Sequence, residues 1–554
     1  MSKQKKSGNA VKNTQTGTES ARINQRFGRI TGILMTIYVL FYLCVFPLAT
    51  RDKYFDILQF RFQLYWIPTL IYGILFLVLG IFHLLSDKRR NGGALTAKLK
   101  ENLKWSTLRT KLTKTDICFI VLIFIMTLSV LFADYQYEAL WGNEGRFDGL
   151  ILWLMFFIAY WLVSRFYHFR KWHLYAYLIA ACLPEIWGIT DFFLLDLFHF
   201  HDGTDPGYIY TFVSSVGNIN TYTNMLALHL GASAAMFVLS KEKKESLLCW
   251  IPLMISSFAI VMGISDNGLL AAAAVFAFLP FAAWTDTKAI ARYFIALSSF
   301  ATSVAVTAQL TIGRATMADC DGGSVLVTLG KTQPFVMLVG LLWACTILLF
   351  FIFRGKNAEQ ENQIAKVARR IWILFVVLGV VATLGILIDA NSGNHADIWG
   401  PYQNILVFSD SWGTGRGLNW RLAWDYFVND ASLLKKLIGY GPDTYYIITM
   451  DRFKKLMQAA GYGYFDSAHN EYIEYMTTIG ILGTLAYLGI LATGLRQMLK
   501  KPKNRFAIAC GFAVLAYAVQ AVVNIAIPIT TPILMILLYV GISTVKESAD
   551  RKQK

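Results

Sequence analysis

Apolar stretches of about twenty residues recur from one end of this chain to the other, and no other feature restricts its fold as much. A run of that length crosses the hydrocarbon core of a bilayer as a helix, because only a helix or a closed barrel satisfies its own backbone there. Composition agrees: of 554 residues, 56% are hydrophobic and 16% charged, against about 25% charged in a typical soluble domain. Fourteen spans are expected, at about 30–49, 67–85, 117–133, 149–163, 174–193, 220–239, 249–263, 269–284, 292–311, 334–353, 371–388, 472–492, 506–523 and 531–545. The class this implies is an all-α polytopic membrane protein, a bundle of about 14 transmembrane helices with one large polar loop.

Lys and Arg accumulate in short cytoplasmic loops, so charge sets the expected orientation. Residues 86–116 carry nine Lys or Arg against three acids. The stretches 164–173, 240–246, 354–370 and 496–505 are also basic, as are both tails. Fourteen crossings put all of these on one side. The other side receives 50–66, 134–148, 194–219, 312–333 and the long segment 389–470, whose seven Lys or Arg face eight acids. The expected organisation is a basic cytoplasmic tail (1–29), eleven helices (30–388), an extracytoplasmic loop with surface helices (389–470), three helices (471–545) and a cytoplasmic tail (546–554). The net charge of +16 is then a topology signal that favours anionic membrane lipids and requires no nucleic acid.

Seven cysteines, Cys44, Cys118, Cys182, Cys249, Cys320, Cys345 and Cys510, are scattered, and no disulfide or metal pattern is visible. His199, His201 and Asp205 have a spacing that three metal ligands tolerate, but without a second motif. No metal and no cofactor are expected.

The polar segments carry the chemistry. In Leu140-Trp141-Gly142-Asn143-Glu144-Gly145-Arg146-Phe147-Asp148-Gly149, one arginine sits among glycines just before a span, suited either to anchor a helix end or to face an anionic ligand. Gly217-Asn218-Ile219-Asn220 with Asn224 is an amide-rich helix start, able to cap the helix and to pack against a ligand. In the long loop, 416–437 has helical periodicity with Arg416, Trp420, Trp424 and Phe427 on one face and an Arg421/Asp425 pair on another. Gly439-Tyr440-Gly441-Pro442 ends it, a second helix is expected over about 443–459, and Asp466-Ser467 are positioned to cap the helix that follows. His469 then falls in the first turn of the next span, where a positive helix end holds an imidazole neutral, as a general base requires.

Taken together, Gly415-Arg416-Gly417-Leu418-Asn419-Trp420, Leu437-Ile438-Gly439-Tyr440-Gly441-Pro442, His469-Asn470-Glu471-Tyr472 and Thr478-Ile479-Gly480-Ile481-Leu482-Gly483 resemble the O-antigen ligase and polymerase family. Gly217-Asn218-Ile219-Asn220 is similar to that family's Gly-Asn-Pro-Asn segment, with isoleucine for proline, and the resemblance extends over roughly residues 140–545. It implies a GT-C-like membrane glycosyltransferase. Such an enzyme moves a glycan from an undecaprenyl diphosphate carrier to a polysaccharide, lipid or cell-wall acceptor, without nucleotide or metal. By motif, His469 and Arg416 match the family's catalytic histidine and arginine, and Asn470 the residue beside the histidine. The chain departs from the ligases where Tyr208-Ile209-Tyr210-Thr211-Phe212 lacks their further arginine and where Asp266-Asn267 replaces a Ser-Arg pair. Arg146 resembles a motif of Gram-positive relatives and is placed to supply the missing charge.

The resemblance makes His469 the base that deprotonates the acceptor, with Arg416 and Arg146 on the diphosphate. Trp420, Trp424, Asn470, Arg421, Asn218, Asn220 and Asn224 are the remaining candidates for substrate contact. A transporter or flippase of lipid-linked oligosaccharide is the alternative from another class. It predicts ionisable residues inside spans and repeat symmetry.

Overall fold

A computed structural model describes residues 22–319, 324–399, 403–500 and 504–553. The basic N-terminal tail up to residue 21, and Cys320 with Asp321, lie outside the described residues. Among the described residues the regular structure is helical apart from one two-residue antiparallel pair, Phe212–Val213 with Gly217–Asn218. Among the described residues nine helices are long and apolar enough to cross a membrane, and two shorter apolar ones, Leu150–Phe166 and Asn267–Ala283, accompany them. The protein is therefore a helical polytopic membrane protein. Apart from 472–492, each expected stretch lies for most of its length in one helical segment, though several helices outrun the bilayer signal. Ile57–Asn91 and Ala358–Ser392 each have 35 residues, about 52 Å at 1.5 Å per residue.

Packing separates a centre from a rim. In Ile219–Val238 every residue from Thr221 to Val238 is buried, and this helix packs along Arg505–Gln520 and Lys243–Met262. Small residues such as Gly231, Ala232, Ser233, Ala234 and Ala235 let its neighbours approach closely. By contrast, Gln333–Phe353 and Ala358–Ser392 bury almost nothing among the described side chains. Their exposed Leu, Ile, Val and Phe form the apolar surface that a bilayer covers.

The long loop is a folded unit with a core of its own. Leu418, Leu422, Tyr426, Tyr445, Ile448, Phe453, Met457 and Phe465 pack together, separate from the core of the bundle. Helix formation over 416–437 is realised in pieces: Trp412–Asp425, a wider turn at Tyr426–Asp430, then Leu433–Ile438. The second expected helix is present as Tyr445–Ala459.

Two glycines dock the loop onto the bundle. The expected span 472–492 is broken between Glu471–Thr478 and Gly480–Leu499, because Gly480 takes φ 69°. Gly439-Tyr440-Gly441 runs alongside this break, Tyr440 N–H donating to Thr477 O (3.2 Å) and Gly441 N–H to Thr478 O (2.9 Å). A Cβ on Gly439 would stand 2.1 Å from Thr478 O, and one on Gly480 2.4 Å from Leu437 O. The Gly-Tyr-Gly-Pro and Thr-Ile-Gly motifs are thus two halves of one contact.

Candidate functional site

The docked loop brings together three segments distant in sequence. The first is Gly142–Gly149, fixed from outside by Asp443, whose Oδ2 accepts from the Asn143 N–H (2.8 Å) and the Asp148 N–H (2.9 Å). The second is the turn before Arg416, where Gly413, Thr414 and Gly415 are all left-handed. A Cβ on Gly415 would stand 2.6 Å from the Tyr462 ring, so glycine is needed there for space as well as for φ. The third is Asp466–Asn470. Asn419 Nδ2 donates to Ser467 O (2.7 Å) and Trp420 Nε1 to Ala468 O (2.9 Å), and Tyr445 OH holds Asn419 through its Oδ1 (2.6 Å). The Trp412–Asp425 helix thereby fixes the backbone that carries His469.

His469 lies among charges. Arg146 pairs with Asp466, and both Arg146 and Arg416 are close enough to depress the basicity of the imidazole. Burial is the largest cause, followed by Arg146 and then Arg416, and together they pull the His469 pKa down to about 4. The residue as a whole is half-buried. Among the described residues the ring makes no hydrogen bond; only the backbone N–H of His469 donates, to Ser467 Oγ (3.4 Å). The two arginines are similarly incomplete. Arg416 donates from Nη1 to Gly413 O (2.9 Å), and the Nε of Arg416 and of Arg146 are both buried without an acceptor. Buried guanidinium donors left open near a neutral imidazole are suited to hold an anion beside a separate group that gives up a proton.

Strain gathers at the same place. Phe147, Thr414, Asp443 and His469 all take positive φ (57°, 59°, 58° and 48°) although none is glycine. Burial raises the Asp443 carboxyl to about 7. Glu474 accepts from the Ala468 N–H (3.1 Å).

Several sequence expectations are corrected. The residue that caps Glu471–Thr478 is Asn470, whose Oδ1 accepts from the N–H groups of Tyr472 and Ile473 (both 3.1 Å), rather than Asp466 or Ser467. His469 accordingly precedes the cap and lies outside the first turn, and its neutrality comes from burial and the arginines. Arg421 pairs with Asp410 (2.7 and 2.9 Å) instead of Asp425, on the solvent side. Trp420 faces the 466–470 turn, whereas Trp424 is 59% exposed on the outer side of the helix. His201 is taken up by Phe212 O (3.0 Å) and Asp196, so the grouping of His199, His201 and Asp205 does not form.

The amide-rich helix start is internally satisfied. Asn218 caps the helix through the Asn220 N–H (2.8 Å), and Asn220 Oδ1 accepts from Ser265 Oγ (2.8 Å) and Asn267 Nδ2 (3.0 Å). Asn224 is buried, accepts from Gln520 Nε2 and donates to Thr530 Oγ1 (3.3 Å). Two groups outside the junction have ligand atoms within 4.8 Å of one another, buried Cys182, Glu185 and His229, and Asp196, His199 and Asp202 at the surface. Sequence reasoning missed Asp443 and the pairing of Arg146 with Asp466. An aspartate after Gly-x-Gly-Pro carries no signal of the distant loop that it holds.

A helical membrane bundle with a folded polar loop docked on it, carrying a buried histidine near two arginines, is the class that the fold defines. Residues 322–488 match the O-antigen ligase family, a segment that includes Arg416 and His469 and leaves Arg146 outside. This stretch thus matches an O-antigen ligase domain, as its motifs imply, and the match supports a glycan-transferring role in polysaccharide assembly. No curated protein matches the chain.

Proposed function

We propose that the chain transfers a glycan from an undecaprenyl diphosphate carrier to an acceptor hydroxyl on a polysaccharide, a lipid or the cell wall, on the extracytoplasmic face of the cell membrane. The observation that supports this reading is the unpartnered His469 imidazole between Arg416 and Arg146, each with an open buried donor. A glycosyl diphosphate already has a good leaving group. The protein must therefore accept the acceptor's proton and stabilise the charge that develops on the departing diphosphate. In the proposed step the acceptor O–H gives its proton to a ring nitrogen of His469, and its oxygen bonds to the anomeric carbon. The bond from that carbon to the diphosphate breaks, and the electron pair leaves on the diphosphate, held by the two guanidinium groups. One displacement inverts the anomeric configuration and requires no metal. Asp466 orients Arg146, and Trp420 orients the turn that carries His469.

A flippase of lipid-linked oligosaccharide is the rival. The buried pair of His229 Nδ1 and Glu185 Oε1 at 2.6 Å is the feature that such a transporter would use. Purified protein given polyprenyl diphosphate-linked glycan, an acceptor and a chelator separates the two. Inverted product with free polyprenyl diphosphate supports the transferase, whereas intact donor in every condition rejects it. Activity lost only on chelation rejects the metal-free step. The orientation is tested by cysteines at Ser392 and Lys455, which are exposed. Both should react with a membrane-impermeant maleimide in intact cells.

A further inference from the structure

The loop that carries Arg146 also walls a second space. A cavity of about 560 Å³ lies between the start of the Ile57–Asn91 helix and the segment from Tyr137 to Phe147. Trp66 and Trp141 meet edge to face (5.8 Å between ring centroids), and Phe62 and Phe147 stack (5.1 Å), so the lining presents ring faces in fixed positions. Between the rings stand the Gln59 amide and the Glu144 carboxylate, both exposed and without a protein partner among the described residues. Asp56 and Gln63 differ, being engaged by Arg51.

Aromatic rings beside amide and carboxylate groups free to bind hydroxyls, here Trp66 and Trp141 with Gln59 and Glu144, are what carbohydrate recognition requires. A lipid tail would leave Gln59 and Glu144 unpaired in hydrocarbon. The position supports a glycan too. Gly145 and Phe147 line the cavity while Arg146, between them, turns to Asp466 and the His469 centre. Asp443 holds that partition at both ends, and Phe147 is fixed at positive φ, so cavity and centre share a rigid wall.

We propose that this groove binds the sugar residues of a glycan whose reacting end lies at His469. The inference rests on the transferase reading above and adds a binding site for hydroxyl-rich saccharide, formed by residues N-terminal to the matched ligase segment. The aromatic rings select for stacked pyranoses, and Glu144 favours hydroxyl or amino substituents over acidic ones.

A photo-crosslinking residue placed singly at Gln59 or Tyr137, the latter 71% exposed, tests it in membranes of the native host, with Ile371 on the apolar rim as the control position. The expected result is an ultraviolet-dependent adduct that stains for carbohydrate at 59 and 137 but not at 371, and that persists in His469→Ala. Adducts with lipid alone, or no carbohydrate at either position, overturn the groove. In purified protein, Gln59→Ala with Glu144→Gln should raise the KM for glycan about fivefold and leave kcat near the parent value. A kcat loss with unchanged KM overturns it as well. Carbohydrate adducts without any transfer by the parent protein would sink the transferase reading and leave the groove standing; transfer without adducts would do the reverse.

Discussion

The amide-rich start of Ile219–Val238 and the turn at Asp466–Asn470 look equally like ligand sites in sequence, yet the fold treats them in opposite ways. At the first, Asn218 caps its own helix, and Asn220 and Asn224 direct their side chains to Ser265, Asn267 and Gln520. At the second, the His469 ring has no hydrogen-bond partner among the described residues, and two arginine Nε groups are buried without acceptors. Polar groups that satisfy one another fix helices in place. Groups left incomplete in a buried setting still have hydrogen bonds to give to a ligand.

That contrast is broken or sharpened by substitutions on each side. The largest effect is expected for His469→Ala, a fall in glycan transfer of about 100- to 10,000-fold, the usual range for losing a general base. Its thermal transition should not move, and wild-type-like turnover would refute the assignment. Arg416→Lys keeps a charge but loses the planar fork, so transfer should fall on the order of 100-fold with weaker donor use. Arg146→Gln should behave similarly, and a normal rate there would return Arg146 to the role of helix anchor.

On the other side, Asn224→Ala should cost about 1–3 kcal/mol of stability by leaving Gln520 unpaired in the core, read as a lower thermal midpoint. Turnover per folded molecule should be little changed. If activity is lost at unchanged stability, the amide is a ligand group and the contrast fails.

Smaller effects belong to pH. With the His469 pKa at about 4, the imidazole is neutral throughout the physiological range, so the acid limb of kcat/KM should lie near that value. Bound diphosphate favours the imidazolium, and the limb of kcat should therefore lie higher. Asp443 works in the opposite sense on stability. Its folded pKa of about 7 exceeds that of an unfolded aspartate, so its contribution is fully present at low pH and is lost as pH rises towards and through 7. Asp443→Asn keeps an oxygen for the Asn143 and Asp148 N–H groups and removes the charge. The thermal midpoint should accordingly become less sensitive between about pH 4 and 7, and an unchanged slope there would count against that account.

The sequence by itself determined the class and the motif inventory. Apolar runs of bilayer length force helices whatever their neighbours, and the helices over 416–425 and 445–459 follow from local periodicity and the Gly-Tyr-Gly-Pro stop. The family relationship was legible for a related reason, since Arg416, Gly439, Gly441, His469 and Gly480 form an ordered series along the chain. Only the tertiary structure decided what each polar residue does. Pairing of Arg146 with Asp466 spans 320 positions, and the bond from Asn143 to Asp443 spans 300. Neither leaves a local pattern, because partners that far apart are selected by how the loop docks. The break at Gly480 illustrates the limit: apolar periodicity runs through it, and only the approach of Leu437 O shows why the helix stops there. Local residue preferences fix helices, whereas hydrogen-bond satisfaction is a property of the whole packed chain.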